Sequence, residues 1–234
     1  MPTDTPSTMP SIMRRLRPLS LAAALTLGVA CDDSNGGTAP SAVASVRAQL
    51  MSAALRVGDT VTLQAVATDQ DGVPIPGARL AWSSSPGGVV AVGPGGRIRG
   101  TVPGATWVRV SAGSASDSVG VNVGENAAVL EQLDPAPGTV LQPGTPVTIA
   151  GRIRYALTST SSGQLLMVVQ DQGTDLLQFP QPSVAITAGG GTISMTDTIE
   201  IPATGVSKVQ VFFALQPSGA NGTTTVTSAY YPVQ

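Results

Sequence analysis

Few residues in this chain have both the type and the spacing to do chemistry. Asp171 and Asp175 flank Gln172-Gly173-Thr174, and a carboxylate pair can act as acid and base in glycoside cleavage; here the pair falls in an expected loop with no aromatic wall close by in sequence. Asp69, Asp71 and Gly72 match half of a calcium loop. A full loop needs six or more oxygen ligands with a bidentate acid, none follows at the right spacing, and a plain turn is expected. Gly189-Gly190-Gly191 lacks the Lys-Ser/Thr pair and the helix of a phosphate loop, so a flexible hairpin loop is expected there. What remains is Trp107, with Arg109 on the same strand face and Arg79 on the expected neighbouring strand. Together they would make an aromatic and cationic patch for a ligand, since Trp and Arg dominate interface energetics. The rival arrangement has the arginine stems, or the second domain, covering the indole.

The rest of the inventory excludes more than it offers. The chain has no histidine and a single cysteine, Cys31, which removes His-dependent triads, Cys/His metal sites and any intrachain disulfide. No metal, no cofactor and no enzymatic activity are expected, a small envelope hydrolase being the weakest of the functional readings. Asp4, Arg14, Arg15 and Arg17 fall in an N-terminal segment expected to be removed, and without them nine basic residues face thirteen acidic ones, a net −4. No basic tract is left to follow a phosphate backbone, so no nucleic-acid partner is expected.

The elements that must position these residues are strands. Charged residues make up 11% of 234, there are 27 Gly and 19 Pro, and long amphipathic helices are absent, a composition of short strands joined by turns. The length suits two domains of about 100 residues. Val61, Leu63, Ala65 and Ala67 alternate on one face; Leu80 with Trp82, Val90 with Val92, Ile98, then Thr106, Val108, Val110 and Ala112, and Val119, Val121 and Val123 follow, about seven strands in all. Glu125-Asn126-Ala127-Ala128 is a short junction that would set two domains end to end with little swing. In the second half Val147 to Tyr155 alternate, as do Leu165, Met167 and Val169, with further strands expected at Ser183 to Ala188, Thr192 to Ile201, Lys208 to Leu215 and Thr223 to Tyr231. Tyr230 and Tyr231 point to opposite faces, one to core and one to surface. The second half, 125–234, is immunoglobulin-like or fibronectin-like by pattern alone.

At the N-terminus, Met13-Arg14-Arg15-Leu16-Arg17 precedes an apolar run from Leu19 to Leu27, the layout of a signal peptide and too short to span a bilayer. Met13 is a second candidate start. Leu27-Gly28-Val29-Ala30-Cys31 resembles the lipobox of bacterial lipoproteins, with Gly28 where the family has a large aliphatic residue. The resemblance implies cleavage after residue 30, covalent diacylglycerol and N-acyl lipid, palmitate among them, on Cys31, and a membrane anchor in a bacterial cell envelope. Two or three acyl chains hold a protein stably where one does not. Residues 31–41 are rich in Gly, Ser, Asn and Pro and would act as a flexible tether.

Six blocks carry a second resemblance: Leu55-Arg56-Val57-Gly58-Asp59-Thr60-Val61-Thr62-Leu63, the Asp69-Gln70-Asp71-Gly72 turn, Trp82-Ser83-Ser84-Ser85, Val90-Ala91-Val92, Gly96-Arg97-Ile98-Arg99-Gly100 and Gly104-Ala105-Thr106-Trp107-Val108. In this order they resemble the bacterial immunoglobulin-like domain, group 2, over residues 42–124. The resemblance implies a non-catalytic module of bacterial surface proteins with Trp82 packed between its sheets; Trp107 departs from the pattern on an outward position. The whole then reads as an all-β protein of two tandem immunoglobulin-like Greek-key β-sandwiches after a cleaved signal peptide (1–30) and a flexible tether. Its expected role is a non-catalytic envelope lipoprotein, lipid-anchored with its domains outside the cytoplasm, serving as a binding, adhesion or spacer module. The alternative is a carbohydrate-binding accessory protein, so that the expected partners are the membrane and a protein or glycan ligand.

Overall fold

Period-two alternation of Val, Ile, Leu and Ala with small polar residues gives each strand one face to bury, and the strands so made stack into two hydrophobic cores. The computed structural model describes residues 42–171, 174–175, 181–219 and 225–234. Cys31, the signal peptide and the tether therefore lie outside the described residues. Among the described residues strands account for nearly all regular structure, the one helical element there being a single 3-10 turn at Pro94–Gly96.

The first core lies between two layers. One holds β1 (Ser45–Ala48) against β4 (Ala65–Thr68), and β3 (Thr60–Thr62) against β7 (Arg97–Gly100) and β6 (Val90–Val92). The other runs β2 (Ser52–Arg56), β9 (Ala115–Gly124), β8 (Gly104–Ala112), β5 (Ala81–Ser85). The first strand thus changes layer between Ala48 and Ser52, and β2 then pairs parallel with β9. Those connections give the immunoglobulin Greek key. Leu55, Leu63, Ile98, Val108, Val110, Val119, Val121 and Val123 fill the space between layers.

The blocks read from the sequence have local causes. Asp59 accepts the Arg56 N–H at 3.0 Å and closes the β2–β3 turn. Asp69 Oδ1 accepts from the N–H groups of Asp71 and Val73 at 3.0 and 2.9 Å, so this carboxylate is spent on a turn. Trp82 is half-buried on the edge of the core rather than enclosed by it, and its ring lies over Gly96, where a Cβ would come within 2.9 Å of it. That contact, with φ +80 at Gly96, explains the glycine that opens the Gly96-Arg97-Ile98-Arg99-Gly100 block.

The second core is built on two long strands. β11 (Pro146–Asp171) pairs antiparallel with β13 (Ser183–Glu200) along most of its length; its first half also pairs with β10 (Ala127–Asp134) and its second half with β14 (Lys208–Pro217), next to β15 (Thr225–Pro232). A two-residue strand, β12 (Thr174–Asp175), extends β11 at Gln170 and Asp171. The same two long strands therefore serve both layers. Register slips between Leu157 and Ser162, setting four residues of β11 against Ala188 alone, and the strands bend there from one layer to the other.

Two expectations change at this bend. Gly189-Gly190-Gly191 is no hairpin loop: it lies inside β13, joining what alternation had divided into two strands. A Cβ at Gly191 would come within 3.0 Å of the Tyr155 ring and one at Gly190 within 3.2 Å of the Tyr155 carbonyl, so the glycines allow close approach at the corner. Asn126, expected in a mere junction, is buried there; its Oδ1 accepts from the N–H groups of Thr158 and Ser159, and its Nδ2 donates to Ser159 Oγ. One carboxamide thus satisfies the backbone that the slip unpairs.

The two cores meet through β2, which also replaces the end-to-end arrangement expected from the short junction. One edge of β2 pairs with β9; the other meets β15 at Ser52–Ser228 and β10 at Ala54–Ala128. A single sheet thus crosses from one sandwich to the other, and the described residues all belong to one compact unit. The Met51 N–H donates to the Ser228 carbonyl at 2.8 Å, Thr227 Oγ1 donates to the Ser52 carbonyl at 3.1 Å, and the hydroxyls of Ser52 and Ser228 bond to each other at 2.7 Å. Beside the seam, Arg47 donates to the Tyr230 hydroxyl at 2.9 Å, and the Lys208 ammonium sits 4.4 Å from the centre of the Tyr230 ring. Leu50 packs against both cores.

Two predictions follow from this packing. Because the seam is hydrogen-bonded and buried, calorimetry of the full chain should give one cooperative unfolding transition, and Thr227→Val should shift that transition as a whole, by about 1 kcal/mol. Two separated transitions, only one of them moved by the substitution, would refute the shared seam. Tyr231 is buried at the end of the second core and donates to the Pro135 carbonyl at 2.6 Å. Burial, with the Asp134 carboxylate adding to it, raises its pKa above the ordinary 10.0. The folded state thus holds this proton more tightly than the unfolded chain, so stability is flat through neutral pH and falls as pH rises above about 10. Tyr231→Phe should cost about 1–2 kcal/mol at pH 7 and flatten the alkaline limb of a denaturation series, and an unchanged limb would remove Tyr231 as its source.

Candidate ligand-binding face

The outward face of the sheet β5-β8-β9-β2 is set by the alternation that buries Val108, Val110, Val119 and Val121 on the other side. Its register puts Ser85, Trp107, Gly120, Ser52 and Ser228 in one cross-strand row over five strands. Trp107 is the one tall side chain of that row and is 60% exposed. Its ring leans onto its cross-strand partner: a Cβ at Gly120 would stand 3.4 and 3.7 Å from two of the ring carbons. One part of the indole is seated on the sheet, and the rest is open to solvent.

The next row carries Ala105, Asn122, Ala54 and Ala128. Asn122 is exposed, and its carboxamide makes no hydrogen bond among the described residues. Between Trp107 and Val226 of β15 the small side chains leave an open groove of about 380 Å³, lined also by Pro86, Ser52, Gly120 and Asn122. Asn122 lines as well a second hollow of about 500 Å³ reaching Glu125, Asn126, Ser159 and Ser218. The two hollows adjoin along the seam, and among the described residues neither is lined by Arg or Lys.

Of the three residues expected to form a patch, the structure keeps only Trp107 at this groove. Arg109 shares its face, but the guanidinium donates to Ser116 Oγ at 2.7 Å, toward the far end of β9 from Gly120. Arg79 precedes β5 instead of lying in it; Ala81 pairs with Ser111 and Ser85 with Trp107. Arg79 lies six residues before Ser85 in the chain, two of them ahead of the strand. The arginines therefore do not cover the indole, and no aromatic and cationic cluster forms around it. Asn122, Pro86 and the seam row were not singled out from the sequence. Asn122 could have been, as the one amide in the outward series Ser116, Ser118, Gly120, Asn122, whereas its place beside β15 depends on a pairing between positions 52 and 228.

A further concavity of about 380 Å³ gathers Arg56, Arg154, Tyr155 and Gly189-Gly190-Gly191. Arg56 Nε lies 3.6 Å from Asp59 and has no hydrogen-bond partner among the described residues, and Arg154 bonds to Glu131 at 3.1 Å, a carboxylate that Arg152 shares at 3.5 Å. Asp171 lies at the end of β11, and the side chain of Asp175 lies outside the described residues. Among the described residues no three His, Cys, Asp or Glu side chains group as metal ligands would, and no helix is long and apolar enough to cross a membrane.

No family model matches the chain, and no curated protein does. Among solved structures, the chain is similar to domains 4 and 5 of the S-layer protein SbsC, at 16% identity and a TM-score of 0.29, over 82% of this chain and 99% of that one. It is similar to the six-domain SbsC structure at 19% identity and a TM-score of 0.31, over 83% of this chain and 28% of that one. It is also similar to a tandem of titin immunoglobulin domains, at 10% identity and a TM-score of 0.24, over 81% of this chain and 96% of that one.

Proposed function

We propose that this chain is a non-catalytic lipoprotein of a bacterial cell envelope. Acyl chains on Cys31 anchor it, the tether at 31–41 holds it off the membrane, and residues 42–234 stand outside the cytoplasm as a binding or adhesion module. In this reading the first sandwich is a bacterial immunoglobulin-like domain of group 2 and the leader ends in a lipobox. The observation that carries the binding role is Trp107: a 60% exposed indole seated on a rigid sheet, beside a groove whose far wall belongs to the other sandwich. An exposed aromatic costs free energy in water that burial against a partner would recover. The shared strand supports the same role, because it holds both walls of the groove in fixed register.

The anchor and the face are tested separately. Made in a bacterial host, the wild type should partition into detergent and show an intact mass that begins at Cys31 with added acyl chains, both lost in Cys31→Ser. An unlipidated, soluble wild type would sink the anchor. Retention of the full chain on bacterial envelope fragments should fall at least tenfold in Trp107→Ala with its melting temperature held within about 2 °C, as expected for an exposed side chain. Equal retention of wild type and variant would remove this face from binding.

A further inference from the structure

We infer that the groove between Trp107 and β15 is a site for an uncharged glycan chain, with the indole as its stacking platform and Asn122 as its polar anchor. This rests on reading the face as a binding surface and adds the chemical class of what it binds. A pyranose ring presents a flat patch of C–H groups to an aromatic face and a rim of hydroxyls around it. The site offers the matching pair. The ring of Trp107 is held against Gly120 on one side and is otherwise exposed, so the ligand finds it already oriented. Asn122 stands in the next row with a donor and an acceptor both unspent among the described residues, the combination a vicinal diol needs.

The surroundings select among ligand classes. Among the described residues, Glu125 in the adjoining hollow is the one charge in the lining, and no Arg or Lys faces either hollow. A phosphorylated or sulfated chain, or a nucleic acid, would find a carboxylate and no cation. A protein hot spot gathers several large anchors inside a ring that excludes water, whereas the row around Trp107 consists of Ser85, Gly120 and Ser52, with Ala105 and Asn122 in the next. One platform over an open, hydroxyl-bearing trough suits an extended chain that keeps much of its water. From Gly120 to Gly124 the lining follows β9 for four residues, about 13 Å of strand, before the chain bends at Glu125 and Asn126. That is room for about two or three sugar units and argues for a chain, not a single sugar.

The test is retention of the full chain on four uncharged polysaccharides, mixed-linkage β-glucan, xylan, chitin and dextran, by affinity electrophoresis or pull-down. At least one should retain the wild type. Trp107→Ala should abolish that retention, Trp107→Phe should keep part of it, and Asn122→Ala should weaken it roughly tenfold, all with unchanged melting temperature. Oligosaccharide from the retaining polymer should shift the tryptophan emission of the wild type and not that of Trp107→Ala. No retention on any of the four, or retention that survives Trp107→Ala, overturns the inference. Envelope fragments separate this failure from failure of the binding face: Trp107-dependent retention that protease treatment of the fragments destroys and periodate oxidation spares would overturn the glycan and keep the face, while retention indifferent to Trp107 would sink both.

Discussion

Strand β2 is the constraint on which the rest of this structure depends. A strand has two edges, each a row of backbone donors and acceptors that must find partners once buried. In most sandwiches an edge strand gives one row to its own sheet and the other to water. Here the five residues Ser52–Arg56 give one row to β9 in the first sandwich and the other, at Ser52 and Ala54, to β15 and β10 in the second. Ala53, Ala54, Thr227 and Ser228 are buried as a result, and small side chains are what allow the two sandwiches to approach so closely.

Much else in the molecule is arranged around that sharing. β10 follows β9 after only Glu125 and Asn126, so the chain passes between cores without a linker long enough to let them swing. Asn126 is turned inward and spends its carboxamide on the bend of β11, tying the crossing point to the corner of the second sandwich. Arg47 and Lys208 bracket Tyr230 from either side of the seam, cationic groups over an aromatic ring and both partly in water. Deeper in the second core, Gly151 faces the Phe213 ring so closely that a Cβ there would fall within it, and the ring fills the space that a side chain would have taken.

The candidate site inherits its form from the same strand. Without β15 set beside β2, Trp107 would stand on an open flat sheet; with it, the indole becomes one wall of a trough. Precision at such a site comes from residues on strands whose register is fixed by burial of the opposite face. Trp107 and Asn122 are both of this kind, since Val108 and Val121 beside them are anchored in the core.

The sequence alone determined the class, the local turns and the facing of most strands, because these are short-range properties. Alternation told Val108 from Trp107, Asp69 read as a turn from its own spacing, and the adjacent tyrosines were set on opposite faces, though only the structure shows that Tyr231 is the buried one. It could not determine where strands continue. Gly189-Gly190-Gly191 carries the local signature of a loop, and its pairing with Tyr155, Ala156 and Leu157 of β11 makes it part of a strand. Nor could it bring Arg79 to its true distance from Trp107, which depends on where β5 begins against β8. Above all, the pairing of Ser52 with Ser228 joins positions 176 apart, and no local pattern of serine and alanine names its partner. Tertiary structure decided that pairing because β2's second edge had to be satisfied, and the strands of the other core were what it met.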